Sequence, residues 1–313
     1  MGEESSIAWT DATANFWMGC QRVSPGCEHC YAETLVTTRM RLPVWGPPKT
    51  TERHRTKSAW VDVPRWNRAA KRDGVRRKVF VSSLADVFED HPAVAPWRME
   101  ALHLLERCRN LDVQLLTKRP QNIMRMVPAH WRAAWPDHIW IGTTVEDQRR
   151  VEERIPHLLG VPARVRFLSC EPLLESVDLT RLDIFTNDRW PKSLPNEPAT
   201  YYDVLSGRGL RPSWTGVSIE TAGPSVSWVI VGGESGASAR PFDLAWARSI
   251  VSQCREAEVP CFVKQMGARP VHMVRGYTYV DEREDEYPLS LRDRAGADPS
   301  EWPSDLRVQE FPR

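Results

Sequence analysis

The chain has 313 residues, of which 41% are hydrophobic and 27% charged, a composition typical of a folded globular protein and not of a disordered chain. Its formal net charge of only +1 excludes a molecule that attracts nucleic acid through its overall charge. No run of about 18 apolar residues is present, so we expect no membrane span, and the acidic start of the chain argues against a signal peptide.

Short apolar segments alternate with segments of helical periodicity along the chain. The apolar segments predict strands at 14–19, 79–84, 113–117, 139–143, 165–169, 228–231 and 261–264. The amphipathic segments predict helices at 31–40, 95–108, 121–126, 147–159 and 244–257. Such alternation indicates parallel βαβ units with both sheet faces covered. We therefore predict an α/β fold, namely a full or partial TIM-like (β/α) barrel, with a flat doubly wound sheet as the alternative.

Three stretches depart from this alternation. A basic, Pro-containing stretch at 41–78 separates the first helix from the second strand, and 178–227 is predicted to be an insertion. After Gly267 we expect a polar tail with a charged run at 281–286. The predicted domains are thus a barrel over 1–267, with its insertion at about 178–227, and a C-terminal extension over 268–313.

Polar residues follow nearly every predicted strand. The carboxyl ends of parallel strands are where α/β proteins bind ligands, so these residues predict one shared site. The alternative is that strand ends are polar simply because loops begin there. The candidates for catalysis or substrate binding are Asp86, Thr117, Lys118, Glu146, Cys170, Glu171 and Lys264.

Three of the seven cysteines, Cys20, Cys27 and Cys30, lie within eleven residues. Without an export signal, this cluster indicates metal chemistry in a reducing cytoplasm and not a disulfide framework. Ser24-Pro25-Gly26 predicts a turn that lets Cys20 join the other two. Three thiolates suit a [4Fe–4S] cluster with one open iron. A zinc site closed by His29 or a distant cysteine is one alternative, and three buried thiols without a metal are another.

This arrangement resembles a known group of enzymes. A strand, a three-cysteine loop and then βα units are similar to the radical S-adenosylmethionine (SAM) superfamily. More narrowly, the chain resembles an uncharacterised, phage-associated family of radical-SAM-like proteins with the spacing Cys-x6-Cys-x2-Cys. The superfamily's commonest spacing is three and then two residues, and His29 stands where it usually has an aromatic residue. The resemblance spans most of 16–267 and is carried by 19–32, 81–88, 115–120, 141–148, 166–174, 228–243 and 262–267.

The resemblance implies a cofactor set and a mechanism. Cys20, Cys27 and Cys30 would bind three irons of the cluster, and the amino and carboxylate groups of SAM would bind the fourth. One electron, supplied by a donor such as a flavodoxin or ferredoxin, would cleave the sulfonium C–S bond. The products would be methionine and a 5′-deoxyadenosyl radical that abstracts hydrogen from a substrate in a dry cavity.

The resemblance also implies which residues contact SAM. Gly232-Gly233-Glu234 is similar to the superfamily's glycine-glycine-glutamate motif, although that motif usually follows the second strand and here follows a late one. An ordinary turn is the alternative for this tripeptide. The residues expected to bind the cofactor are His29, Tyr31, Gly232, Gly233, Glu234 and Ser235.

Two strand-end residues have specific alternatives. Glu171 would bind ribose hydroxyls or the substrate, or else cap a helix or pair with Arg166 or Arg240. Cys170 would quench or relay a radical, or else be a buried structural thiol, as we expect for the cysteines at 108 and 254.

The substrate is not identified by the sequence, and nucleic acid or a nucleotide is one candidate. The segment 39–78 contains thirteen Lys or Arg against three acids, interleaved with Trp60 and Trp66. Such segments can bind phosphates and stack bases, whereas a solvated, charged connection is the alternative. A second function class is therefore a non-catalytic zinc or iron–sulfur protein that binds nucleic acid through this segment.

Overall fold

The structure is a computed structural model that describes residues 4–184, 200–213, 216–275 and 284–312. The strands are β1 (Ala12–Ala14), β2 (Trp17–Met18), β3 (His54–Arg55), β4 (Arg77–Val81), β5 (Leu111–Thr117), β6 (Ile139–Thr144), β7 (Arg166–Cys170), β8 (Leu182–Asp183), β9 (Tyr201–Asp203), β10 (Arg208–Ser213), β11 (Gly216–Ala222), β12 (Trp228–Gly232), β13 (Phe242–Asp243), β14 (Cys261–Gln265), β15 (Pro270–Arg275) and β16 (Glu284–Pro288).

The helices match the predicted positions closely, with one addition. They are α1 (Tyr31–Thr34), which a π-helical segment over Leu35–Arg39 continues, α2 (Ser58–Asp73), α3 (Val94–Arg107), α4 (Ile123–Met126), α5 (Gln148–Leu159) and α6 (Leu244–Glu256). Within the described ranges, none of the helices is both long enough and apolar enough to cross a bilayer.

Seven strands form the main sheet, in the order β1-β4-β5-β6-β7-β12-β14. The pairs β1–β4, β4–β5 and β5–β6 are parallel, and so is the pair β12–β14. Every residue of β6 and of β12 is buried, as expected where a parallel sheet is covered on both faces. The predicted parallel α/β class is therefore confirmed, and the strand order is consistent with a partial β/α barrel.

The chain divides into two compact units. The first comprises Met1–Thr144 and Arg154–Phe167, and its core contains buried aliphatic side chains from β4, β5 and β6. The second comprises Val145–Glu153 and Leu168–Arg313, and its core contains apolar residues of β12, β14 and α6. Each unit thus has its own set of buried strands.

The predicted first strand at 14–19 differs from the structure. β1 ends at Ala14 and pairs with β4, whereas β2 pairs antiparallel with β3 in a separate two-stranded ribbon. The apolar run therefore contains only the last residue of β1 together with the whole of β2, and these two strands belong to different sheets. Periodicity alone could not separate them, because both are buried.

The basic stretch at 41–78 contains a helix that the sequence did not predict. The helix α2 has 16 residues, buries Val63 and Trp66, and ends at Gly74, whose φ of +67° is the left-handed conformation that terminates helices. Pro64 lies inside this helix, and several cations lie along it. These residues hid the helical periodicity, since proline and dense charge are both typical of loops.

The insertion and the C-terminal residues also form strands. Within 178–227, strands β8 to β11 form an antiparallel sheet, while 185–199 and 214–215 lie outside the described residues. The residues after Gly267, predicted as a polar tail, contribute β15 and β16 to a sheet with β13. Part of the charged run at 281–286 lies outside the described residues, which resume at 284.

The end of the chain covers one edge of β14. The Val263 N–H donates to Val308 O at 2.8 Å, and the Glu310 N–H donates to Cys261 O at 2.9 Å. Phe311 packs against Trp228, with ring centroids 5.5 Å apart. The C-terminal residues therefore occupy this edge of β14. In a closed barrel, another barrel strand would pair with it.

Arg53 anchors the loop that precedes β3 in the first unit. Its fully buried guanidinium donates to both carboxylate oxygens of Glu89, at 2.8 and 2.9 Å. It also donates to the carbonyl oxygens of Val44 at 3.1 Å and Gly46 at 2.8 Å. Because a buried charge is tolerated only when it is paired and hydrogen-bonded, this contact fixes the loop against the segment that follows β4.

We predict that Arg53→Met lowers the free energy of unfolding by about 3–5 kcal/mol, because it leaves the buried Glu89 without its two charge-assisted hydrogen bonds. Urea unfolding at pH 7 measures the change. The control is Arg72→Met, which removes an exposed ion pair with Asp73 and should leave the unfolding midpoint unchanged. Equal midpoints for the two variants would contradict the anchoring role of Arg53.

Candidate functional site

The three-cysteine loop begins where the chain passes the end of β4. The Gly19 N–H donates to Leu84 O at 3.0 Å, and the Gly46 N–H donates to Cys20 O at 3.0 Å. Gly19 has a φ of +109°, and a Cβ there would lie 2.3 Å from Val44 O. Glycine is therefore required immediately before Cys20, because any side chain would push the loop away from the residues that hold it.

The rest of the loop turns back towards α1. A 3₁₀ turn over Pro25–Cys27 follows Ser24, whose carbonyl accepts from the Cys27 N–H at 2.9 Å. Cys30 directly precedes α1, and its carbonyl accepts from the Thr34 N–H at 3.1 Å. The turn predicted from Ser24-Pro25-Gly26 is thus present.

All three thiols are free and half-buried. Cys30 packs against a small apolar cluster that lies beneath the loop and consists of Met18, Ala32, Val36, Val44 and Leu84. The Ser24 hydroxyl lies 3.9 Å from the Cys27 sulfur. The loop therefore carries three cysteines that are not in disulfides, and Cys30 lies against the apolar cluster.

Arg119 binds the start of the loop. Its Nη1 lies 3.6 Å from the Cys20 sulfur and 2.8 Å from Asp86 Oδ2, and its Nη2 donates to Gln21 O at 2.8 Å. Only 8% of the Arg119 side chain is exposed. One buried guanidinium thus contacts the sulfur of Cys20 and the backbone of the next residue, while a carboxylate fixes its orientation.

Asp86 connects the ends of β4 and β5. Its carboxylate accepts from the Thr117 hydroxyl at 2.7 Å and from the Lys118 N–H at 3.1 Å, in addition to Arg119. Burial acts to raise the pKa of Asp86, but Arg119 and the hydrogen bonds, including one from the Phe88 N–H, outweigh it and hold the pKa below its usual value. Asp86 is therefore a carboxylate in the folded protein.

Burial raises the pKa of two of the thiols, those of Cys20 and Cys30. Burial raises the pKa of Cys20 to about 12, although Arg119 opposes this shift. Burial also raises the pKa of Cys30, and backbone N–H groups and the Lys118 ammonium partly oppose it. In the absence of a metal both sulfurs are thus protonated at neutral pH, and binding of a metal would have to displace those protons.

Cysteine thiols are the donor type that iron–sulfur clusters take. Three free thiols lie on one short loop, and the guanidinium beside Cys20 would stabilise a metal-bound thiolate. Within the described parts of the chain, which include Cys20, Cys27 and Cys30, no three His, Cys, Asp or Glu side chains form a group suited to a single metal ion, so binding of a cluster by the three cysteines stays a prediction.

The residues around the loop have varied environments. His29 is half-buried, and Tyr31 is exposed, with its hydroxyl donating to Ser83 O at 3.0 Å. The Lys118 ammonium lies 3.4 Å from the Thr144 hydroxyl at the end of β6. The first unit therefore brings Asp86, Thr117 and Lys118 together at the ends of adjacent strands, and their role in a shared site stays a prediction.

In the second unit, two predicted residues form an ion pair. The Lys264 ammonium lies 2.5 Å from Glu171 Oε1, and both side chains are partly exposed, at 19% and 17%. A Cβ on Gly232 would lie 3.5 Å from the Glu171 carboxyl carbon, so these three residues are close neighbours. The partner of Glu171 is thus Lys264, and neither Arg166 nor Arg240.

The glycine-glycine-glutamate segment has partners within its own unit. Gly232 O accepts from the Leu173 N–H at 3.0 Å, and Gly233 O accepts from the Gln265 side chain at 2.8 Å. The Glu234 carboxylate binds Arg240. Ser235 is exposed. These contacts agree with the ordinary-turn alternative, and a role in binding SAM stays a prediction.

Glu146 and Cys170 are fully buried in the second unit. Burial raises the pKa of the Cys170 thiol, and the nearby Cys261 and Glu146 raise it further. Cys170 is therefore protonated at neutral pH, and its surroundings are those of a structural thiol. Cys108 and Cys254 are also buried, as predicted.

Sequence reasoning missed two residues of the site, Arg119 and Glu89. Arg119 belongs to the polar strand end Thr117-Lys118-Arg119, which was the available signal, but the sequence alone assigned it no role. Glu89 gave no signal, because its partner Arg53 is 36 residues away.

Six of the thirteen cations in the basic segment 39–78 form ion pairs with acids in the described parts of the chain. Arg65 and Arg72 pair with acids of the segment itself. Four further cations pair with acids outside it, and these pairs are Arg53–Glu89, Arg55–Glu100, Arg76–Asp112 and Lys78–Asp11. Four acids from outside the segment therefore offset part of its local excess of ten positive charges, and both the phosphate-binding and the solvated-connection interpretations stay predictions.

Comparisons with known proteins return one family. The model of the family described as "Protein of unknown function (DUF5131)" matches residues 4–287. No curated protein and no solved structure matches the chain.

We predict that Asp86→Asn lowers the free energy of unfolding at pH 7. We also predict that the free energy of unfolding of the variant depends less on pH in the acid range than that of the wild type. The pKa of Asp86 is lowered in the folded state, so its contribution is present above the unfolded pKa of about 3.9 and is lost as pH falls through the folded pKa. Urea unfolding from pH 7 to pH 3 should show the gap between wild type and variant narrowing below about pH 4.

The exposed Asp90, which pairs with Arg125, provides the control for this experiment. Asp90→Asn should leave stability close to that of the wild type at each pH. A constant gap between wild type and Asp86→Asn over the whole range would contradict the assignment.

Proposed function

The chain belongs to the family described as proteins of unknown function (DUF5131), and for this member we propose a radical SAM enzyme with a [4Fe–4S] cluster on Cys20, Cys27 and Cys30. The observation that carries the proposal is the loop itself. It holds three free, half-buried cysteines, and its start contacts the residues that follow two parallel strands, β4 and β5. Three thiolates leave one iron of such a cluster open to a further ligand.

The finer fold belongs to the same proposal. We propose a partial TIM-like barrel, since parallel strands alternate with helices and the C-terminal residues occupy one edge of β14. Catalytic residues of such folds lie at the carboxyl ends of the strands. Asp86, Thr117 and Lys118 occupy those positions in the first unit, and Glu171 and Lys264 do so in the second.

When bound, the cluster and SAM would supply one-electron cleavage of the sulfonium C–S bond and a 5′-deoxyadenosyl radical that removes hydrogen from the substrate. The chain's own residues would orient the three-cysteine loop and bind the cofactor or substrate. Gly19 lets the loop approach Val44, and Arg119 fixes Cys20 and Gln21. Lys118 supplies a half-buried ammonium that can bind an anionic group of the cofactor or substrate.

The remaining expectations concern partners and compartment. An electron donor such as a flavodoxin or ferredoxin would reduce the cluster, and a reducing cytoplasm would keep the three thiols free. His29, Tyr31 and the segment 232–235 keep their proposed roles towards SAM. The substrate class stays open, with nucleic acid or a nucleotide as one candidate.

We predict that Cys27→Ala abolishes cluster binding, because two thiolates no longer hold three irons. The protein is purified and reconstituted anaerobically, and iron and acid-labile sulfide per chain are measured beside formation of 5′-deoxyadenosine from SAM under reduction. Wild type should hold about four irons per chain, the number in a [4Fe–4S] cluster, and should cleave SAM. Cys108→Ala changes a buried cysteine outside the loop and should keep both properties.

Two outcomes would count against the proposal. Full iron content and SAM cleavage in Cys27→Ala would show that the ligand assignment is wrong. One zinc and no iron in the wild type would support instead the non-catalytic zinc protein. In that case, binding of a fluorescent single-stranded oligonucleotide, compared between wild type and Lys49→Gln/Lys57→Gln, would test the basic segment.

A further inference from the structure

A group of four buried charges lies beside Cys20. Arg53 binds Glu89 through two hydrogen bonds, Glu89 lies 3.8 Å from Arg119, and Arg119 binds Asp86 at 2.8 Å. The group contains two cations and two carboxylates, so its formal charges cancel. A neutral, hydrogen-bonded set of this kind can be buried, whereas any one of its members alone could not.

Within this group, Arg119 is the member that reaches the loop. The guanidinium points one N–H at the Cys20 sulfur, 3.6 Å away, and another at the carbonyl of Gln21, 2.8 Å away. Asp86 and Glu89 hold it from the opposite side. The position of the guanidinium is therefore set independently of any ligand on the loop.

The other two cysteines have no arginine contact of this kind among the described residues. The Ser24 hydroxyl lies near Cys27, and Cys30 packs on the apolar cluster. Cys20 thus differs from its two companions, because it alone receives a hydrogen bond from a cation there. Hydrogen bonds to the sulfurs and local charge set the reduction potentials of iron–sulfur clusters.

We propose that Arg119 is a positioning residue that holds Cys20 as a cluster ligand and raises the reduction potential of the cluster through its N–H···S hydrogen bond. This inference rests on the proposed function. Reduction adds negative charge to the cluster and its thiolates, and a neighbouring guanidinium favours the more negative state. Loss of the guanidinium therefore makes the cluster harder to reduce.

The test compares the wild type with Arg119→Gln and Arg119→Lys, each reconstituted anaerobically and studied without SAM. The readouts are iron and sulfide per chain and the ratio of reduced to oxidised cluster during a redox titration followed by visible absorption and electron paramagnetic resonance. At the wild-type midpoint potential we expect this ratio to fall about tenfold in Arg119→Gln, which corresponds to ~59 mV for a one-electron couple. Arg119→Lys retains the charge and should restore most of the ratio.

Two further variants serve as a control and as a replacement in case Arg119→Gln does not fold. Arg125→Gln removes an arginine that also pairs with an aspartate but is 55% exposed, and it should leave the ratio unchanged. If Arg119→Gln does not fold, the double variant Asp86→Asn/Arg119→Gln leaves neither charge buried alone. The double variant should still shift the ratio in the same direction, because the hydrogen bond to Cys20 is lost.

The outcomes separate this inference from the proposed function. A wild type that binds no iron would refute both. A wild type with a complete cluster, together with an unchanged ratio in Arg119→Gln or in the double variant, would overturn the role of Arg119 and leave the proposed function intact. Iron loss with an unchanged ratio in the clusters that remain would support the positioning of Cys20 by Arg119 and would overturn the effect of Arg119 on the reduction potential.

Discussion

The burial of four charged side chains beside the three-cysteine loop is the constraint on which the rest of the first unit depends. Arg53, Glu89, Arg119 and Asp86 are each more than nine-tenths buried and bind one another. Desolvation makes any one of these charges unfavourable alone, so each fixes the position of the next. The loop that carries Cys20 is attached to this group.

The group also links segments that are distant along the chain. Arg53 holds the carbonyls of Val44 and Gly46, and the Gly46 N–H in turn binds Cys20 O. On the other side, Asp86 joins the residues after β4 to Thr117 at the end of β5. The loop therefore rests on two strand ends and one anchored loop, and such support from rigid elements is what a preorganised metal site requires.

Local sequence patterns predicted most helices and strands, whereas the partners of the site residues depend on contacts between distant parts of the chain. The strands β4 to β7 and the helices α3, α5 and α6 follow from apolar runs and periodicity, because both signals lie within about ten residues. The helix α2 was missed since Pro64 and its cations obscure that signal. The cysteines were visible from spacing alone, but Arg119 was not, because its role depends on partners from the end of β4 and from the loop.

The second unit shows why a polar residue at a strand end is not by itself evidence of a site. Glu234 is buried and its carboxylate binds Arg240, so it closes the loop after β12. Glu171 and Lys264 form a pair of similar length that stays partly exposed. The Glu234 carboxylate accepts hydrogen bonds from the backbone N–H, Nε and Nη2 of Arg240, whereas among the described residues the Glu171 carboxylate accepts from the Lys264 ammonium alone. A ligand with a charged or polar group therefore displaces fewer hydrogen bonds at Glu171 than at Glu234. Glu171 and Lys264 are therefore the better candidates for ligand contact.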